Sequence, residues 1–100
     1  MKIGHLDVPD QALIEYCRRN QIRELSVFGS VQRDDFRPDS DVDILVEFEE
    51  DAEIGFLALS RIRRELSAII GRDVDLVPKD GLKAFIRQSV LDSSEIIYAA

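Results

Sequence analysis

The chain has 100 residues with 20 acidic and 13 basic side chains, and ten of the acids fall between Asp34 and Glu53 against one base, Arg37, so that window carries −9 and the other eighty residues +2. This length suits one domain over 1–100 and excludes two, and the lone Cys17 excludes an internal disulfide. The lack of a basic tract argues against broad nucleic-acid binding, no stretch approaches the ~20 apolar residues of a membrane span, and Met1–Asp10 does not read as a secretion leader, so the expectation is a cytoplasmic protein.

The first periodic segment is Pro9–Asn20, where Leu13, Tyr16 and Cys17, with Ala12 or Ile14, recur at helical spacing. Asp7 or Val8 stands at the cap region and Pro9 suits the first turn, where its missing N–H would be unpaired anyway. Arg18 and Arg19 complement the dipole of the last turn. Glu24-Leu25-Ser26-Val27-Phe28 then reads as a strand ended by Gly29-Ser30, followed by a turn or short helical turn through Asp35 and a loop at Pro38-Asp39-Ser40. Asp41–Phe48 is a second strand, alternating at its start and apolar on both faces in its middle, which predicts cover on both sides.

Gly55–Ile70 carries the strongest helical stripe (Leu59, Ile62, Leu66, Ile69, Ile70), and Gly71 closes it as a left-handed C-terminal residue would. Asp73-Val74-Asp75-Leu76-Val77 is a third strand stopped by Pro78. Leu82–Val90 is helical, and Glu95-Ile96-Ile97-Tyr98 is a last, edge strand. The fold class is α/β (α+β), with a small mixed sheet of about four strands and helices packed on it. A small open sheet leaves an edge to cover, which predicts an oligomer.

Chemistry concentrates at three places: the Gly29-Ser30 turn, Asp41-Val42-Asp43 and Asp73-Val74-Asp75. Side chains two apart on a strand share a face, so Asp41 and Asp43 project together while Val42 and Ile44 enter the core. Paired carboxylates on an apolar strand repel each other unless a cation stands between them, and a hard divalent ion is the natural one. Asp75, on a neighbouring strand, would supply a third carboxylate. Three can hold two ions, the arrangement that stabilises attacking and leaving oxygens in phosphoryl transfer. A Gly-Ser turn leaving a strand offers backbone N–H groups and a hydroxyl to a triphosphate. D-x-D alone is a weak signal in a chain with twelve Asp. Its spacing of ten residues from Gly29-Ser30, each half beside a strand, is the more specific one.

The stretch from Leu25-Ser26-Val27-Phe28-Gly29-Ser30-Val31-Gln32-Arg33 through Arg37-Pro38-Asp39-Ser40-Asp41-Val42-Asp43-Ile44-Leu45-Val46 resembles the G-S-x10-D-x-D signature of the DNA polymerase β-like nucleotidyltransferases. It is most similar to the minimal nucleotidyltransferases (MNT proteins), over nearly the whole chain. The resemblance implies transfer of AMP from ATP with release of pyrophosphate and two Mg²⁺ ions per site. Asp41, Asp43 and Asp75 match the catalytic, metal-binding carboxylates, and Gly29, Ser30, Arg33 and Ser40 fall to nucleotide binding. Gln32 and Asp34 depart from the small residues of the usual turn, and Asp34 sets a negative charge beside the phosphates. MNT proteins of this kind are partnered with small helical HEPN proteins, RNase-like toxins. The implied role is an antitoxin that binds the toxin and attaches AMP to one of its tyrosines. A purely binding antitoxin, or transfer to a small molecule or RNA, are the alternatives.

Blander readings stand beside these. Asp41 and Asp43 could be a solvated strand end, and Asp73 shares the face of Asp75, which is preferred for lying deeper in its strand. Glu47, Glu49, Glu50, Asp51 and Glu53 read as a solvated strand end and loop. Arg61, Arg63 and Arg64 read as surface charge, and His5 has no role.

Overall fold

The computed structural model describes residues 2–3, 6–28, 41–82 and 84–100. The described elements are, in chain order, β1 (Lys2–Ile3), β2 (Leu6–Asp7), α1 (Asp10–Arg19), β3 (Ile22–Phe28), β4 (Val42–Phe48), α2 (Phe56–Ile70), β5 (Val74–Pro78), a 3₁₀ turn at Lys79–Gly81, α3 (Ala84–Ser93) and β6 (Glu95–Ala99). The turn expected through Asp35 and the loop at Pro38-Asp39-Ser40 lie outside the described residues.

Four strands form one sheet in the order β5-β4-β3-β6, with β1 and β2 a separate antiparallel pair. β3 runs antiparallel to both β4 and β6, while β4 and β5 are parallel and joined through α2. Parallel neighbours need such a crossover, and a helix supplies it. The sheet is therefore mixed, as expected.

One face of the sheet is apolar. Leu25 and Val27 of β3, Val42, Ile44 and Val46 of β4, and Val74 and Leu76 of β5 meet Leu13, Tyr16 and Cys17 of α1 and Ile62, Leu66 and Ile70 of α2 in one buried cluster. Burying each such aliphatic side chain contributes roughly 1.5–3 kcal/mol. The α2 stripe thus holds the crossover flat against the parallel pair. Leu45, which points to the other face, is 3% exposed. It lines a cavity of about 230 Å³ together with Leu91 and Ser94 at the end of α3, so β4 is covered on both sides.

Boundaries moved where tertiary pairing overrode local signals. Pro9 is the N-cap of α1 and not its first turn, with its carbonyl accepting from the Leu13 N–H at 3.1 Å. β3 starts at Ile22, because Gln21 takes a left-handed φ of 58° and turns the chain directly from α1 into the sheet. Pro78 ends β5 inside the ladder, opposite Val46. β5 is an edge strand, where a missing N–H does not break a second ladder. α3 begins at Ala84 and runs to Ser93, later than the periodicity predicts. The β1–β2 pair was not expected from the sequence, since two residues per strand are too few to show an alternation.

Candidate active site

β3 ends, and β4 and β5 begin, at the same rim of the sheet. The parallel register pairs Val42 with Val74 and Asp43 with Asp75. Directly opposed residues point to one face, so the two aspartates stand side by side on the face away from α1 and α2. Across β4, Asp43 pairs with Phe28, the last residue before Gly29-Ser30. β3 therefore ends beside the carboxylate pair.

Several local features set this register. Gly71 ends α2 with φ of 82°, a conformation that costs a side-chain-bearing residue, and its N–H reaches the Ser67 carbonyl at 2.9 Å. The Ser67 hydroxyl donates to the Arg63 carbonyl at 2.8 Å and accepts from the Val74 N–H at 3.0 Å. The end of α2 is thereby tied to the first residue of β5, one position before Asp75. The Val42 N–H then reaches the Asp73 carbonyl at 2.8 Å and carries the parallel ladder past the strand ends. Ser67 had no signature in the sequence beyond a hydroxyl seven residues ahead of a strand.

Asp43 is half-buried, whereas Asp41, Asp73 and Asp75 are exposed. Asp41 lies one residue ahead of β4. Among the described residues no three acidic, histidine or cysteine side chains converge into a ready-made metal cage. What the rim holds is an Asp43–Asp75 pair with Asp41 at its mouth. Gly29, Ser30, Arg33 and Ser40, with Gln32 and Asp34, lie outside the described residues.

The donor set is carboxylate oxygen, which suits a hard ion such as Mg²⁺ better than a soft one. The one thiol is no competitor. Cys17 is buried in the core on the opposite face, and burial pushes its pKa up to about 12. A second polar cluster joins α1 to α2 on that helical side. There the Tyr16 hydroxyl donates to Glu65 at 2.9 Å and Arg61 pairs with Glu65 at 2.5 Å. The Glu65 carboxyl is held below its usual range, first by the Tyr16 hydrogen bond and then by Arg61, while Tyr16 is pushed well up by burial and by Glu65. This cluster is structural, since the sheet separates it from the aspartates.

Comparison with known proteins agrees with the geometry. The family described as "Nucleotidyltransferase domain" matches residues 10–97. The chain is 43% identical over 84 residues to the protein adenylyltransferase MntA of Thermococcus cleftensis, covering 84% of this chain and 81% of that one. A chain of a toxin–antitoxin complex solved with AMP-PNP superposes with a TM-score of 0.73 at 21% identity, over 93% of this chain and 75% of its own. A chain from a complex of tri-AMPylated Shewanella oneidensis HEPN toxin with MNT antitoxin gives 0.63 at 20% identity, over 91% and 70%. At such identities the two structures speak for the shared fold.

Proposed function

The chain belongs to the nucleotidyltransferase domain family, and we propose on that basis that it transfers AMP from ATP to a tyrosine hydroxyl of a HEPN-type RNase toxin, as that toxin's antitoxin. The observation that carries this reading is the register setting Asp43 beside Asp75, next to the strand that leads into Gly29-Ser30. The similar Thermococcus protein is named a protein adenylyltransferase, which supports the reaction class. The Shewanella complex, with its AMPylated HEPN toxin, supports the partner.

In this reading the acceptor oxygen attacks the α-phosphorus of ATP. A new O–P bond forms as the bond to the bridging oxygen of the leaving pyrophosphate breaks. Asp75, exposed at the rim, accepts the hydroxyl proton and passes it to water. Asp41 and Asp43, with Asp75, would hold Mg²⁺, two ions in all, whose role when bound is to neutralise charge on the phosphoryl oxygens. Backbone N–H groups of Gly29 and Ser30 bind the triphosphate, Arg33 offers its planar fork to a phosphate oxygen and Ser40 a hydroxyl. The whole of 1–100 acts as one catalytic domain. Among the described residues no helix is long and apolar enough to cross a membrane. Use of ATP and a buried free thiol fit a cytoplasmic location.

The test is direct. The protein is incubated with the helical protein encoded beside it, ATP and Mg²⁺, and the partner's intact mass is measured. The expected result is an added AMP on a tyrosine and released pyrophosphate, both lost with EDTA or in Asp41→Asn/Asp43→Asn. An unchanged partner mass with the wild-type protein refutes transfer to protein. If the double variant still co-purifies with the partner and protects cells, the antitoxin acts by binding alone.

A further inference from the structure

The end of the sheet opposite the aspartates carries a second set of features that nucleotidyl transfer does not use. Phe56 and Leu57 open α2 and are 83% and 82% exposed, far more than any other large apolar side chain among the described residues except Ile96 at 60%. Adjacent exposed apolar residues of this size are unusual on a solitary soluble surface and mark contact sites. They follow at once on Glu49, Glu50, Asp51 and Glu53, side chains that enter no ion pair among the described residues.

The acidic segment is also the wall of a groove. A cavity of about 350 Å³ is lined by Glu49, Glu50 and Asp80, with Arg23 and Lys79 as its cations, over an apolar floor of Phe48, Ile54 and Pro78. It shares Glu47 and Lys79 with the 230 Å³ cavity beneath α3. Lys79 lies between Glu47 at 3.4 Å and Glu24 at 4.0 Å, so its charge is spent inside the groove and does not offset the acids at the mouth. The groove therefore presents more carboxylates than cations above apolar walls, and Phe56 and Leu57 follow two residues after Ile54 of its floor.

We propose that this end of the molecule, Glu49–Glu53 with Phe56 and Leu57, is a docking surface for a basic amphipathic helix of a protein partner. The apolar stripe of such a helix covers Phe56 and Leu57, and its Lys or Arg side chains reach the unpaired carboxylates. Charge decides the occupant: an acidic or neutral segment would leave four carboxylates without counter-charge, and opposite sign across a contact favours encounter and register. Asp43 and Phe48 are five residues apart on β4, about 17 Å at a strand's rise, so a partner held here leaves the aspartate rim open. Docking goes beyond the transfer reaction and does not depend on it.

The probe is a fluorescein-labelled synthetic 18-residue helix of leucine and lysine with its leucines on one face, titrated with the full-length protein and followed by anisotropy. Binding is expected to weaken at least tenfold in Phe56→Ser/Leu57→Ser and in Glu49→Lys/Glu50→Lys, and to weaken when NaCl rises from 50 to 300 mM. The charge reversal Asp10→Lys/Glu15→Lys on the exposed side of α1 is expected to leave it unchanged. Equal loss on reversing α1, equal binding of a leucine–glutamate helix, or no binding at all overturns the proposal. Sedimentation showing that wild type self-associates and that Phe56→Ser/Leu57→Ser abolishes this assigns the surface to a second copy and overturns it too. Circular dichroism confirms that the variants fold. ATP binding that survives in them separates failure of this surface from failure of the transfer reading.

Discussion

Replacing Asp75 by Asn should make the protein more stable without metal and less responsive to it. Asp43 and Asp75 are in register on neighbouring strands, and the strand spacing of roughly 4.8 Å makes about 5 Å the working separation of their charges. Coulomb's law gives about 0.8 kcal/mol at that distance in a water-like medium and about 3 kcal/mol at an effective dielectric of 20. Asp75 is exposed and Asp43 half-buried, so screening favours the low end, and about 1 kcal/mol is the expected gain for Asp75→Asn. For a domain this small that corresponds to roughly 4–8 °C in Tm. Urea unfolding at pH 7 in EDTA should show the gain. Mg²⁺ with a non-hydrolysable ATP analogue should then reverse the order, because a ligand at ten times its Kd adds about 1.4 kcal/mol to the native state, and the variant binds it less tightly. If Asp75→Asn is destabilised in EDTA, or if wild type and variant gain equally from Mg²⁺ and nucleotide, the two carboxylates neither repel one another nor share a cation.

Three further predictions rest on groups outside the rim. Ser67→Ala leaves the Val74 N–H without its partner. It should cost about 1–2 kcal/mol in urea unfolding and weaken nucleotide binding through the misplaced start of β5, a loss that Ser67→Thr should restore. The depressed pKa of Glu65 means its contribution is present above the unfolded carboxylate pKa and is lost as pH falls through the lower, folded value. Tyr16→Phe, which removes the leading cause of that depression, should flatten the acid side of the stability profile, as read from urea midpoints between pH 3 and 7. Cys17 is raised from 9.0 to about 12, so the unfolded thiol ionises first and stability should fall by about 1.4 kcal/mol per pH unit across that window. Cys17→Ala should remove that slope.

How much of this was legible without coordinates varies by element. α2 was readable almost to the residue, because its stripe, its Gly55 N-cap and Gly71 at φ of 82° are all local signals. The central place of β4 was readable from its apolar run, and Leu45 at 3% exposure agrees. Pro78 misled, since a proline signals an end except on an edge strand, and only the strand order reveals an edge. The exposure of Phe56 and Leu57 is not legible in the chain, because both fall inside the helical segment that follows Gly55 and periodicity does not report exposure.

The acidic window from Asp34 to Glu53 divides in the same way. Alternation along a strand puts Asp41 and Asp43 on the side opposite Val42 and Ile44, so the expectation that they carry the chemistry can be formed from the chain alone. Depth in the strand favours Asp75 over Asp73, and the strand register is what sets Asp75 against Asp43. Register between distant strands depends on burying Val42, Ile44, Val74 and Leu76 together under α2, and on Ser67 tying helix to strand, so it is settled by packing across the chain and not by any window along it.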